Sequence, residues 1–267
     1  MNLSKIVLAS VVALSAATSA LAQVHFGVRG NIGYTSFWNT DISYSQSDIE
    51  EGSYRDYKYE KSMSVSGLDD ASGLGFGFGV ALAVPLAPAI SLQPELMFSH
   101  RTRSTSKLAM SASYKEWHRD SETNDPWELY DEDFDGPDPL GSKVELSQWF
   151  IDIPVMFRYA MPNGVFFNAG PVVSINLSND AEVAGVSVPI EIDDFFATFS
   201  LAVGVGGGYS VALGNGSQLD IDVRLNFGLT HLVGDDVDFM GQRIGDLTEY
   251  GNPKDFNILA GVTYWFM

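Results

Sequence analysis

An all-β chain closed as an eight-stranded antiparallel up-and-down transmembrane β-barrel is the fold this sequence predicts, and three observations predict it. Between Gln218 and Thr230, Leu219, Ile221, Val223, Leu225 and Phe227 alternate with Asp220, Asp222, Arg224 and Asn226. Successive side chains of a strand point to opposite faces, so one face here is wholly apolar and the other carries charge. Seven further segments are built the same way. Where those segments carry charge, the charge shares its face with glycine, which suits a crowded, narrow interior. Finally, short connections alternate with long ones, the pattern of outer-membrane barrels with short periplasmic turns and long extracellular loops.

The N-terminus gives the address. Lys5 is followed by the apolar run Ile6 to Leu14 and then by small residues ending Ala20-Leu21-Ala22 before Gln23. This is the layout of a secretory signal with an A-x-A cleavage site, and its apolar core is too short to span a membrane. The expected organisation is a signal peptide over 1–22 and a barrel domain over 23–267. The chain has no cysteine, which excludes lipoprotein acylation, disulfides and thiolate metal sites. An apolar content of 45% is ordinary for a soluble protein, because a barrel hides its hydrophobicity by alternating it. The 26 glycines and 17 phenylalanines say more: small residues crowd inward and bulky ones project outward.

Eight segments carry the alternation. The first runs from about Val24 to Trp38, with Val24, Phe26, Val28, Ile32 and Tyr34 outward and Arg29 and Asn31 inward. The second, Leu74 to Val84, alternates leucine, phenylalanine and valine with Gly75, Gly77, Gly79 and Ala81. In the third, Ile90 to Arg103, Leu92, Leu96 and Phe98 oppose Gln93, Glu95, Met97 and Ser99. The fourth, Val144 to Tyr159, turns Trp149, Ile151, Ile153, Val155, Phe157 and Tyr159 outward and Gln148, Asp152 and Arg158 inward. The fifth spans Val165 to Leu177, and the sixth spans Phe195 to Val211 with Ser200, Gly204, Gly206, Gly208 and Ser210 inside. The seventh is Gln218 to Thr230. The eighth, Phe256 to Phe266, sets Ile258, Val262, Tyr264 and Phe266 against Asn257, Gly261 and Thr263.

Tight turns are expected at Pro85 to Ala89, Ala160 to Gly164 and Leu213 to Ser217, and long loops at Asn39 to Gly73, Ser104 to Lys143, Ser178 to Asp194 and Val233 to Pro253. A soluble carrier barrel is the rival and needs the reverse polarity, apolar within. Turning the seventh strand over would give its arginine to lipid at about 2 to 4 kcal/mol at the midplane. Lipid offers no partner to a free sheet edge, so the first strand must pair with the eighth. At eight strands the interior is filled by side chains. Arg29, Arg158 and Arg224 are therefore expected to pair with Glu95, Asp152, Asp220 and Asp222 in a hydrogen-bonded plug. A narrow ion or small-solute path lined by the same charges is the alternative. Tyr34, Trp38, Trp149, Tyr159, Tyr209, Tyr264 and Trp265 lie near strand ends and suit interfacial girdles.

With the strands placed, the chain resembles the PorT-type outer-membrane β-barrel family, small barrels akin in architecture to OmpA-type ones. The resemblance is carried by Gly27-Val28-Arg29-Gly30-Asn31-Ile32-Gly33, Leu92-Gln93-Pro94-Glu95-Leu96, Ile151-Asp152-Ile153-Pro154-Val155, Asn168-Ala169-Gly170-Pro171 and Gly261-Val262-Thr263-Tyr264-Trp265-Phe266, in that order. It implies an eight-stranded, multi-pass barrel of the bacterial outer membrane, and it implies no particular activity. Similar barrels end on an aromatic residue read by the barrel assembly machinery, whereas here Met267 follows Phe266.

Charge is segregated. The four long connections hold 28 of the 34 acidic residues against 8 basic ones, so they repel nucleic acid and attract cations or basic partners. They read as a solvated surface or as a contact surface for a protein or cell-surface partner or, through bridging cations, lipopolysaccharide, with Trp117 and Trp127 as exposed aromatic anchors. Asp131, Asp133 and Asp135, followed by Gly136, match the first half of a calcium loop, in which oxygens at alternate positions and a glycine wrap a hard cation. The twelfth position is Ser142 rather than a bidentate glutamate, so calcium, the one cofactor the sequence suggests, would bind weakly. For catalysis on lipid the histidine pairs to inspect are His100 with Ser99 and His231 with Asp235, and neither shows the base-and-orienter spacing a nucleophile needs. The sequence thus predicts a monomeric, non-catalytic barrel acting through its acidic loops or in envelope integrity.

Overall fold

The computed structural model describes residues 24–40, 42–50, 55–67, 69–107, 109–120, 127–133, 143–183, 185–187, 196–214, 216–231, 238–239, 242–243 and 253–266. The expected signal peptide lies outside the described residues. Eight long strands build the barrel: β1 (His25–Trp38), β2 (Ser72–Ala87), β3 (Ile90–Thr105), β4 (Val144–Ala160), β5 (Val165–Val183), β6 (Phe199–Ala212), β7 (Gln218–Gly228) and β8 (Lys254–Phe266). Each pairs antiparallel with its sequence neighbours. The ring closes where β1 meets β8, from Phe26 opposite Phe266 to Trp38 opposite Lys254. No strand of the ring is left with a free edge, as a lipid surround demands.

Lumen and lipid sides follow the alternation. On β7 the side chains of Ile221 and Val223 are exposed, and those of Asp220, Asp222 and Arg224 are buried. On the outer face of β2, β3 and β4, Phe78, Phe98, Trp149 and Phe76 form a contiguous ring patch, with Phe98 stacked on Trp149 at 4.7 Å between centroids. Inside, glycine makes room. A β-carbon at Gly206 would lie 2.7 Å from Asn168 Oδ1 and 2.8 Å from Arg224 Cγ, and one at Gly261 would collide with the Arg29 guanidinium.

The turns at one end are tight, and two share one construction. Met161 N donates to Val165 O and Gly164 N to Met161 O; likewise Leu213 N donates to Ser217 O and Gly216 N to Leu213 O. Gly164 and Gly216 both sit at φ +89°, a left-handed conformation that glycine adopts without steric cost.

The other end departs from expectation. The connections 39–73 and 104–143 are not plain loops, because strands Ile42–Glu50, Arg55–Ser66, Ala109–Asp120 and Glu128–Asp133 form a separate four-stranded antiparallel sheet in that order. Its central pairing, from Arg55 opposite Asp120 to Ser66 opposite Ala109, ties the first long connection to the second. Arg55–Ser66 does alternate, with Tyr57, Tyr59, Met63 and Val65 against Asp56, Lys58, Glu60, Ser62 and Ser64, but Ala109–Asp120 mixes apolar and charged residues on both parities, so the sheet as a whole gives no consistent period-two signal. β5 likewise runs beyond Leu177, and its end pairs with Val186–Ser187 across Gly185.

Candidate functional site

The inward side chains stack in three layers. Nearest the turns, Arg158 from β4 donates to Asp220 from β7 and to Ser210 Oγ, with its guanidinium 3.8 Å over the Phe166 ring. Asp220 also accepts from Trp265 Nε1 and Gln218 Nε2, both at 2.7 Å. Every acceptor lobe of this carboxylate is occupied.

The middle layer is a closed set of two arginines and two carboxylates from three strands. Arg29 on β1 grips Asp222 through both terminal nitrogens at 2.8 and 3.0 Å and donates to Thr263 Oγ1 at 2.9 Å. Arg224 grips Glu95 on β3 in the same two-pronged way at 2.8 and 2.7 Å, and its Nε donates to Asp222 at 2.9 Å. Arg29 Nε lies 3.4 Å from Glu95, completing the ring. Such bidentate guanidinium–carboxylate pairs are among the strongest polar contacts a protein can make.

The uppermost layer lies beneath the long hairpins. Arg101 Nη2 donates to Asp152 at 2.7 Å, and its Nη1 donates to Asp255 at 2.6 Å. Arg103 donates to the other oxygen of Asp255 and, at 2.8 Å, to Gln148 Oε1. Phe150 lies against Arg101 and Phe37 against Arg103, at 4.2 and 4.3 Å from ring centre to guanidinium. Phe37 packs with Ala71 and Leu146 as an apolar cap over the lumen mouth.

The structure thus brings Arg29, Glu95, Asp222 and Arg224 together and joins Arg158 to Asp220. Asp152 is apart from all three arginines named from sequence. Its partner is Arg101, which belongs with Arg103 and Asp255 to a layer the sequence reading did not list. The signal was present: Arg101 and Arg103 continue the odd-numbered inward series Gln93, Glu95, Met97 and Ser99, and Asp255 precedes Asn257 on the same face of β8. Among the described residues, five buried arginines (29, 101, 103, 158, 224) therefore face five buried carboxylates (95, 152, 220, 222, 255) in the lumen, and their charges balance. Trp265 is a correction. Read from sequence as an interfacial ring, it is only 4% exposed and points inward, because Tyr264 and Phe266 own the outward parity.

Two cavities lined by described residues lie along this axis. One of about 10 Å³ lies beside Asn226, Asn257 and Asp255 in the upper half, at the lower bound of what one water needs. The other is a vestibule of about 670 Å³ opening at the turn end, with Gln93, Arg158, Gln218 and Trp265 among the residues lining it.

His100 and Ser99 point to opposite faces of β3. His100 contacts Ser147 Oγ at 2.8 Å and lies 4.4 Å from the Trp149 ring on the lipid side, whereas Ser99 is buried in the lumen. His231 is described, but Asp235 lies outside the described residues. Asp131 and Asp133 fall on the extended strand Glu128–Asp133, and Asp135 lies outside the described residues. Trp117 and Trp127 are half-buried rather than exposed, because Lys58 and Arg119 lie over their rings at 4.8 and 4.6 Å.

Among solved structures, Neisserial surface protein A is 14% identical over 89% of this chain and 95% of its own, with a TM-score of 0.37. An outer membrane channel from Pseudomonas putida F1 is 11% identical over 91% of this chain and 96% of its own, with a TM-score of 0.28. The outer membrane protease OmpT from Escherichia coli is 10% identical over 91% and 95%, also at 0.28. Likeness at this level says nothing of what the chain binds or does. No curated protein gives a match. The family model of the outer membrane protein beta-barrel domain matches residues 17–234, and with the closed ring of eight strands already in view, the chain belongs to that outer-membrane β-barrel family.

Proposed function

We propose that the protein is a non-catalytic, monomeric barrel whose lumen is a structural plug and whose acidic hairpins are its working surface. The observation that carries this reading is the pairing of five arginines with five carboxylates inside the ring, set against long connections in which acids outnumber bases 28 to 8. Charge inside is spent on holding the barrel, and charge outside is left for cations, lipopolysaccharide bridged by them, or a basic partner. The short turns then face the periplasm and the four-stranded hairpin sheet faces outward. The finer placement beside PorT-type barrels rests on the ordered motifs quoted above. Removal of the leader before Gln23 and delivery by the barrel assembly machinery belong to the same reading, as does weak calcium binding at Asp131, Asp133 and Asp135.

Two measurements test it. In a planar bilayer the purified protein is expected to show no steady single-channel current. Proteoliposomes are expected to associate with vesicles containing lipopolysaccharide only when magnesium or calcium is added, and to lose this when Glu116, Asp120 and Glu128 are changed to their amides. Steady conductance, or association indifferent to divalent ions and to the amides, would refute the proposal.

A further inference from the structure

We propose that the vestibule at the turn end is a receptor for an uncharged, peptide-like segment, held at its floor by the side-chain amide of Gln93. The cavity, about 670 Å³, falls within the range of sites that enclose small ligands. Gln93 sits on the inner face of β3, is 3% exposed and lines this cavity. Among the described residues none pairs with its amide. Its amide atoms are not sealed away without a hydrogen bond, as both amide atoms of Asn168 are; they reach the cavity, where a ligand can pair with them.

The chemistry of the floor selects the ligand. Arg158 and His25 are the basic side chains lining the cavity, and Arg158, on its floor, is committed to Asp220 and Ser210. Trp265 Nε1 and Gln218 Nε2 are committed to Asp220 as well. At the floor an ionised ligand would lose hydration and find every charged group already committed, so the floor favours a neutral one. A glutamine amide both donates and accepts, and a single peptide group answers both in a reciprocal pair. The wall is formed in part by Pro85, Pro88, Pro162, Ala89 and Ala160, which are apolar and backbone-restricted, so they suit small apolar side chains and need little reorganisation on binding. The mouth opens where the short turns lie, so the ligand arrives from the periplasmic side.

The test is an NMR titration of the whole barrel in lipid nanodiscs with N-acetyl-trialanine amide, followed through the Gln93 side-chain amide and the Trp265 indole N–H. The expected result is a saturable shift of both. Gln93→Leu should weaken binding, read at Trp265, by about tenfold, the effect of losing one or two hydrogen bonds. Gln93→Met repeats the measurement should the leucine variant fail to fold. Zwitterionic trialanine should bind more weakly than the capped peptide. No saturable shift up to the solubility of the peptide, unchanged affinity in either Gln93 variant, or equal affinity for the zwitterion would overturn the proposal.

Discussion

Neutralising Glu95 alone, as Glu95→Gln, is the sharpest test of the plug. The carboxylate accepts from Arg224 at 2.8 and 2.7 Å and lies 3.4 Å from Arg29 Nε. The amide is nearly isosteric, so no cavity opens. What changes is charge: two buried arginines now face Asp222 alone, leaving one cation uncompensated. Breaking a buried pair from one side costs about 3 to 5 kcal/mol, most of it the penalty on the abandoned charge. Against the roughly 5 to 15 kcal/mol that holds a typical domain folded, this is a large fraction.

The double variant Glu95→Gln/Arg224→Gln restores balance, because the bidentate Arg29–Asp222 grip survives. It should recover most of the loss, giving a coupling in the upper part of the range of about 0.5 to 3 kcal/mol seen for contacting residues. The assay is urea unfolding in phospholipid vesicles, read by tryptophan fluorescence and by the shift of folded and unfolded bands on an unheated gel. Lys143→Ala is the control, since the Lys143–Glu145 pair is solvent-exposed on both sides and such pairs are worth about 0 to 1 kcal/mol. If Glu95→Gln costs no more than this control, or if the double variant is simply the sum of the singles, the layer does not hold the barrel and the reasoning fails.

Other outcomes follow from the same geometry. Asp255→Asn should cost as much as Glu95→Gln in the same urea assay, because one carboxylate serves both Arg101 and Arg103. Gly261→Val should block folding on the gel-shift assay by driving a side chain into the Arg29 guanidinium, while Gly30→Ala, whose β-carbon would meet only Gly77 O at 3.9 Å, should fold normally. Ile221→Arg, at an outward position 52% exposed, should cost about 2 to 4 kcal/mol in vesicles if it lies near the bilayer midplane and less toward the interfaces.

The barrel was legible because its two environments impose opposite demands on consecutive residues. Lipid tolerates no charge on one side and the narrow lumen tolerates no bulk on the other, so Gly75, Gly77 and Gly79 against Phe76, Phe78 and Val80 admit a single reading. Strand ends were less legible. The upper ion layer was missed because Arg101, Arg103 and Asp255 sit where the apolar series fades toward the rim, although the inward parity continued. The outer hairpins were less legible for a different reason: Arg55–Ser66 alternates Tyr57, Tyr59, Met63 and Val65 with polar residues, but Ala109–Asp120 carries charged and apolar residues on both parities, and it is the backbone pairing between the two connections that defines the sheet. Which arginine meets which acid was also beyond sequence, since it depends on the stagger between strands. The register that sets Gly79 beside Met97 and Arg29 leaves no trace in either strand read alone.

The choice of cation connects plug to surface. All five buried basic side chains of the barrel are arginine, whereas lysines 58, 61, 107, 115, 143 and 254 lie in or at the edges of the long connections. Arginine stays charged, presents a fixed fork to a carboxylate and stacks on rings such as Phe166, Phe150 and Phe37, so it can be taken from water with its terminal nitrogens paired, even where Nε of Arg29 and of Arg103 makes no hydrogen bond. Lysine keeps its hydration and suits the wet end. The two electrostatic systems must therefore answer salt differently. The plug is buried and matched, so salt screens it far less. The hairpins are exposed and unbalanced, so their field shrinks to about 10 Å at 0.1 M salt and divalent ions displace monovalent ones along it. A barrel so divided can let its outer surface follow the ionic medium while its fold stays indifferent, a separation that Glu95 and Asp222 within, and Glu116 and Glu128 without, make possible by sitting in different dielectric surroundings.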